Sequence, residues 1–145
     1  MIKQTSIDLS KYRLEKAKKL LKESQILLES NCFDGSINRS YYAIFNAIRS
    51  ILALITLDSS SHKGVISYFD RYFVKTGLFE KKFSKIAHLS FDSRQISDYE
   101  DYFVPKEDDA VQQYRNAMAF IQECEIKQDE FISSKLKLPF EKIAK

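Results

Sequence analysis

Apolar residues recur every three or four positions through most of this chain, which is the period of an α-helix. Leu14, Ala17, Leu20, Leu21, Leu27 and Leu28 keep that spacing. They predict a first helix from about Ser6 or Asp8, either a suitable N-cap, to Ser30. Asn31 to Gly35 reads as a turn in which Asp34 can cap the next helix. A second helix is predicted from about Ser36 to Leu57, and here the pattern changes. Ile37, Tyr41, Ile44, Ile48, Ile51, Leu52 and Ile55 share one face. The roughly opposite face holds Arg39, Tyr42, Asn46, Arg49 and Ala53, flanked by Ala43, Ala47, Leu54 and Leu57. A helix apolar on most sides is buried on more than one. Its arginines and its amide cost free energy there unless something pairs with them. Function, or a contact that excludes water, is therefore expected on this helix.

Asp58 to Ser61 reads as a loop and a supply of N-caps. A third helix is predicted over about His62 to Lys75, ending at Gly77, and a fourth from near Leu78. The fourth is expected to break and restart around Ser90 to Ser93, where Asp92 and Gln95 form a capping-box-like pair, and to end at Phe103-Val104-Pro105. A fifth helix begins at Pro105 or Lys106, with Glu107, Asp108 and Asp109 where the helix dipole favours anions. Ala110, Val111, Tyr114, Ala117, Met118, Ile121 and Cys124 form its apolar stripe. The tail from Ser133 to Lys145 carries Leu136, Leu138, Phe140 and Ile143 among lysines, and either docks or frays. Short connections make sequential helices antiparallel. The expected fold is all-α, an up-and-down antiparallel bundle of about five helices. It forms one domain over residues 1–145, with its core at about 7–132.

Composition supports this picture. Three glycines and two prolines in 145 residues are too few for the turns of an all-β protein. With no tryptophan, 11 phenylalanines and 8 tyrosines must supply the bulk of the core. The net charge of +3 is too small to argue for nucleic acid by itself. Lys11, Arg13, Lys16, Lys18, Lys19 and Lys22 do crowd the first helix, as a solvated face or as an attraction for phosphates. Cys32 and Cys124 have no metal-ligand spacing and read as free thiols of a reducing compartment. Met1 to Ser10 lacks the features of a signal peptide, and the longest apolar run, Ile51 to Ile55, is too short to cross a bilayer. A cytoplasmic location without membrane contact is the expectation.

The chain has no glycine-rich phosphate loop, no HExxH, no CxxC and no nucleophile elbow. With two histidines, no metal cage and no cofactor are expected. Two arginine-centred groups remain. Arg39 shares a face with Tyr42, Asn46 and Arg49, and Arg94 is grouped with Ser97, Asp98 and Tyr99. A guanidinium on a rigid helix can hold a phosphate through two parallel hydrogen bonds. Equally, Arg94 can pair with Asp98 four residues on and lock a helix junction. His62 at a helix start either shuttles a proton near neutral pH or merely fills a first turn. His88, among Ile86, Ala87 and Leu89, reads as a half-buried packing residue.

Five segments occur in order: Asn38-Arg39-Ser40-Tyr41-Tyr42-Ala43-x-Phe45; Ser61-His62-Lys63-Gly64-Val65; Phe73-Val74-Lys75-Thr76-Gly77; Arg94-Gln95-x-x-Asp98-Tyr99; and Ala117-x-x-Phe120-Ile121. As a set, over about Lys11 to Lys127, they resemble the HEPN superfamily, and within it the small stand-alone proteins encoded beside a minimal nucleotidyltransferase. The resemblance implies a four-helix core plus a short helix, a homodimer around a cleft, and a toxin or defence component acting on or binding RNA. Many such proteins are metal-independent endoribonucleases whose signature is an arginine followed about four to six residues later by a histidine. After Arg94 those positions hold Tyr99, Glu100 and Asp101, so His62 would have to enter from another helix. On this reading Arg94, His62 and Tyr99 are the catalytic candidates, and Arg39, Tyr42, Asn46, Arg49 and Asp98 bind RNA or nucleotide. Arg39 and Arg94 would converge on one pocket. Tyr99 and Tyr102 correspond to the region where a partner nucleotidyltransferase attaches AMP in some related pairs. The alternatives are a non-catalytic subunit that binds a nucleotide or partner, and a plain helical dimerisation module.

Overall fold

The structure is a computed structural model that describes residues 2–139. The helices are α1 (Gln4–Glu29), α2 (Phe33–Ala53), α3 (His62–Phe69), α4 (Lys81–Tyr99) and α5 (Glu107–Ile132), with one π-helical turn (Asp70–Val74) continuing α3. Among the described residues there is no strand, and the all-α bundle is as the periodicity predicts.

The second helix is the centre of the molecule. α2 packs against α1, α3, α4 and α5, and Ser36, Ile37, Ser40, Tyr41, Ala43, Ile44 and Asn46 to Ile48 are all buried. Serines let α1 approach it closely. Ser24 Oγ donates to the Ser36 carbonyl at 3.0 Å and lies 2.7 Å from Ser40 Oγ. Further along, Ser10 Oγ donates to the Ser50 carbonyl at 2.6 Å and accepts from Gln128 Nε2 at 2.8 Å, tying three helices together. These small hydroxyls satisfy one another, so burying them carries no penalty for unmet hydrogen bonds. At the other side of the core Phe69, Phe73, Phe79, Phe83, Phe120 and Phe131 interlock, with most ring pairs edge-on or tilted.

Several boundaries differ from the sequence reading, for physical reasons. α1 and α2 start earlier than expected, at Gln4 and Phe33, without a side-chain cap, so Asp34 lies inside the first turn of α2. α2 ends at Ala53, and Thr56 at φ 56° lets Leu57 N–H reach back to the Leu52 carbonyl at 3.1 Å. The fourth helix does not break. It runs unbroken because Ser90 and Arg94 are buried and Phe91 packs on the core, while Asp92 stays exposed and caps nothing. His88 is exposed rather than half-buried, and its Nε2 lies 2.7 Å from Asp70 Oδ2 on the π-helical turn. In the tail, Leu136 and Leu138 pack on the core, whereas Phe140 and Ile143 lie outside the described residues. No helix among the described residues is long and apolar enough to cross a membrane.

Candidate functional site

His62 owes its position to the loop before it. Asp58 accepts from Arg49 Nη2 at 2.8 Å, from Arg49 Nε at 3.3 Å and from the Ser59 N–H at 2.8 Å. Arg13 of α1 adds a bond to the Arg49 carbonyl and an ion pair with Asp58 at 3.5 Å. The loop so anchored presents Ser61, whose hydroxyl accepts the Gly64 N–H at 2.9 Å and caps α3. Gly64 is required there, because a Cβ would collide with the Ser59 side chain tucked beneath it. His62 is thus the first residue of a helix whose start is held by both the anchored loop and its own cap.

Arg94 reaches the same place from α4. Its Nη2 lies 3.1 Å from His62 Nδ1, and its Nη1 donates to Tyr99 Oη at 3.3 Å. The guanidinium carbon stands 4.9 Å from the Tyr41 ring centre, 5.5 Å from Tyr42 and 5.7 Å from Tyr99. This aromatic cage leaves the Arg94 side chain 7% exposed. Asp98 is its nearest carboxylate at 3.9 Å, and Nε is buried without a hydrogen-bond partner. A guanidinium that keeps one donor unpaired has bonding capacity left for an oxyanion.

The imidazole sits among aromatic rings. Phe45 lies 4.3 Å from it between centroids, Tyr41 5.6 Å and Tyr42 5.9 Å. Tyr41 Oη is 2.7 Å from Nδ1. Burial lowers the His62 pKa from the usual value, and the positive charges of Arg94 and Arg49 lower it further. A guanidinium only donates, so Nδ1 must offer it a lone pair, which places the proton of the neutral ring on Nε2. Burial also pushes the Tyr41 hydroxyl up to about 12, so it stays protonated at neutral pH.

The sequence candidates therefore divide. Arg94, His62, Tyr99, Tyr42 and Asp98 come together. Arg39 stands one step away: its Nε donates to Glu23 at 3.0 Å and its Nη1 to Asn38 Oδ1 at 2.7 Å, while Asn38 Nδ2 donates to Asp98 at 3.0 Å. Arg39 and Arg94 are linked through Asn38 and Asp98 rather than converging directly. Arg49 anchors the Asp58 loop, and Asn46 turns its amide back to the Tyr42 carbonyl at 2.8 Å. Tyr99 is 70% exposed, and Tyr102 is fully exposed beyond the end of α4. Periodicity assigns Tyr41 to the core, yet it touches both His62 and Arg94. The signal in the sequence is its hydroxyl, since a tyrosine in a row of aliphatic residues needs a buried partner.

Comparison with known proteins agrees with this architecture. Residues 10–127 match the HEPN domain. A Thermotoga maritima UPF0332 protein is 31% identical over 110 residues, covering 76% of this chain and 83% of that protein. A Methanocaldococcus jannaschii protein named as a candidate toxin is 34% identical over 86 residues, covering 59% of this chain and 64% of its own length. A second candidate toxin from that organism is 28% identical over 97 residues, covering 67% and 66%.

Proposed function

This chain belongs to the HEPN family, and on that premise we propose that it is a toxin-like protein that binds and cleaves RNA, with Arg94 and His62 as the working pair. One observation carries the reading: Arg94 Nη2 and His62 Nδ1 lie 3.1 Å apart. Two helices supply side by side the arginine and histidine that no single segment of the chain supplies. The relatives named as candidate toxins favour the biological side of the proposal.

The chemistry rests on these two groups. An RNA 2′-oxygen attacks the adjacent phosphorus, and the bond from phosphorus to the 5′-oxygen breaks. A 2′,3′-cyclic phosphate results, and the departing 5′-oxygen takes a proton from water to become a free hydroxyl. His62 receives the 2′ proton on a ring nitrogen, and its lowered pKa keeps it neutral and ready at pH 7. Arg94 stabilises the charge gathering on the phosphoryl oxygens through Nε and Nη. Tyr42 stacks beside the Arg94 guanidinium, Asp98 steadies Arg94, and the half-exposed Arg39 meets a neighbouring phosphate.

Two partners complete the proposal. A second copy docks on the outer face of α4, where Leu89 and Ile96 are exposed seven residues apart, and leaves Tyr99 uncovered. A minimal nucleotidyltransferase in the same cytoplasm modifies Tyr99, or the neighbouring Tyr102. The Tyr99 hydroxyl accepts from Arg94, so an added phosphate there would occupy the arginine and silence the site. A second reading, a subunit that binds a nucleotide or partner without catalysis, draws on the 7% exposure of Arg94.

Labelled RNA incubated with purified protein separates these readings. Cleavage that falls by about 100-fold or more in both Arg94→Ala and His62→Ala, with unchanged helical content, supports the nuclease. Nucleotide binding without cleavage establishes the second reading, and cleavage equal in all three proteins removes both residues from the reaction.

A further inference from the structure

We infer that Tyr41 is the positioning residue of His62, its hydroxyl serving as donor to Nδ1 while that nitrogen is bare and as acceptor from Nδ1–H once it carries a proton. The inference rests on the nuclease reading of the Arg94–His62 pair and specifies how the histidine changes protonation state.

The geometry demands such a partner. Nδ1 has two neighbours, Tyr41 Oη at 2.7 Å and Arg94 Nη2 at 3.1 Å. Arginine has five donors and no acceptor, so it can face Nδ1 only while that nitrogen is bare. A hydroxyl carries both a donor and lone pairs and can turn to suit either state. Arg94 therefore holds the resting tautomer, with the proton on Nε2. When a substrate phosphate draws the guanidinium away, the proton can reside on Nδ1 and bond to Tyr41 Oη. That leaves the Nε2 lone pair free to take the 2′ proton. The imidazolium that forms keeps the same Nδ1–H to Oη bond.

Tyr41 is built to stay in place while this happens. It is 1% exposed, and its ring packs against Tyr42, Phe45 and Phe91. Closed to substrate, it acts through the groups it touches: its hydroxyl through His62, and its ring face against Arg94. The charged and titratable groups facing His62 are Arg94 with Asp98 and Tyr99 from α4, and Tyr41, Tyr42 and Arg49 from α2, with Asp58 neutralising part of Arg49. Among these, Tyr41 alone is within hydrogen-bond reach of Nδ1 and able to accept.

The test is an NMR titration of the histidine ring in the free protein, which needs no RNA. His88→Gln assigns the second histidine signal. The wild-type ring should show the Nε2–H tautomer when neutral, and Tyr41→Phe, which keeps the ring and removes the oxygen, should lower the His62 midpoint by about half a pH unit or more. If Tyr41→Phe does not fold, 3-fluorotyrosine at the same position weakens the acceptor and should lower the midpoint by less. An unchanged midpoint in folded Tyr41→Phe, or in the fluorinated protein where Tyr41→Phe fails to fold, overturns the inference. So does a neutral ring protonated on Nδ1. A nuclease assay is read separately: wild-type protein that cleaves no RNA removes the nuclease reading whatever the titration gives. In an active protein, Tyr41→Phe should lower kcat and leave KM unchanged, whereas a change in KM alone contradicts a role exerted through His62.

Discussion

Arg94 is a cation placed where a cation is costly, and its neighbours offset the cost. Three aromatic rings face it, and its two Nη atoms bond to His62 and Tyr99. The burden falls on His62, which sits beside a fixed positive charge and is held below its usual pKa of 6.5 first by burial and then by Arg94. The unfolded chain binds a proton at this residue at higher pH than the folded one does, so folding stability from His62 is complete above pH 6.5. It is lost as pH falls through the folded-state value. His62→Gln removes this contribution. Denaturant melts between pH 7.5 and 5 should therefore show a shallower acid decline for His62→Gln than for wild type, and parallel declines would contradict the assigned shift.

At the scale of elements, the helix ends carry most of the information. α2 closes on Thr56 at φ 56°, a region where a β-branched residue is strained and glycine is not. Thr56→Gly should raise stability by roughly 0.5–1 kcal/mol in equilibrium unfolding, and a loss of stability would show that the Thr56 hydroxyl, 2.7 Å from the Ile55 carbonyl, matters more than the backbone. The same ends show what the sequence could reveal. Helix interiors are legible because burial imposes a period, as in Ile37, Ile44, Ile48 and Ile51. Ser61 is legible as a cap because its hydroxyl makes that bond. The starts of α1, α2 and α4 are not, since none makes a side-chain cap bond. The expected break near Ser90 comes from a local capping pattern that tertiary packing of Ser90 and Arg94 overrides.

For the molecule as a whole, the site exists because α2 is wrapped by every other helix. That enclosure brings the first residue of α3 and the last turns of α4 against one stretch of α2. Residue types alone can nominate Arg94 and His62, but 32 positions separate them, and only the packing of three helices makes them neighbours. Tyr41 escapes a sequence reading for the converse reason: its spacing marks the core, and its hydroxyl chemistry emerges only when the neighbours are known. The central claim is that Arg94 and His62 act on RNA as one unit. A double-mutant cycle on RNA cleavage tests it most directly. Arg94→Ala and His62→Ala should each cost about 100-fold or more, and the double variant should lose little beyond either single one. A double variant whose loss equals the product of the two single losses would show independent residues and contradict the claim.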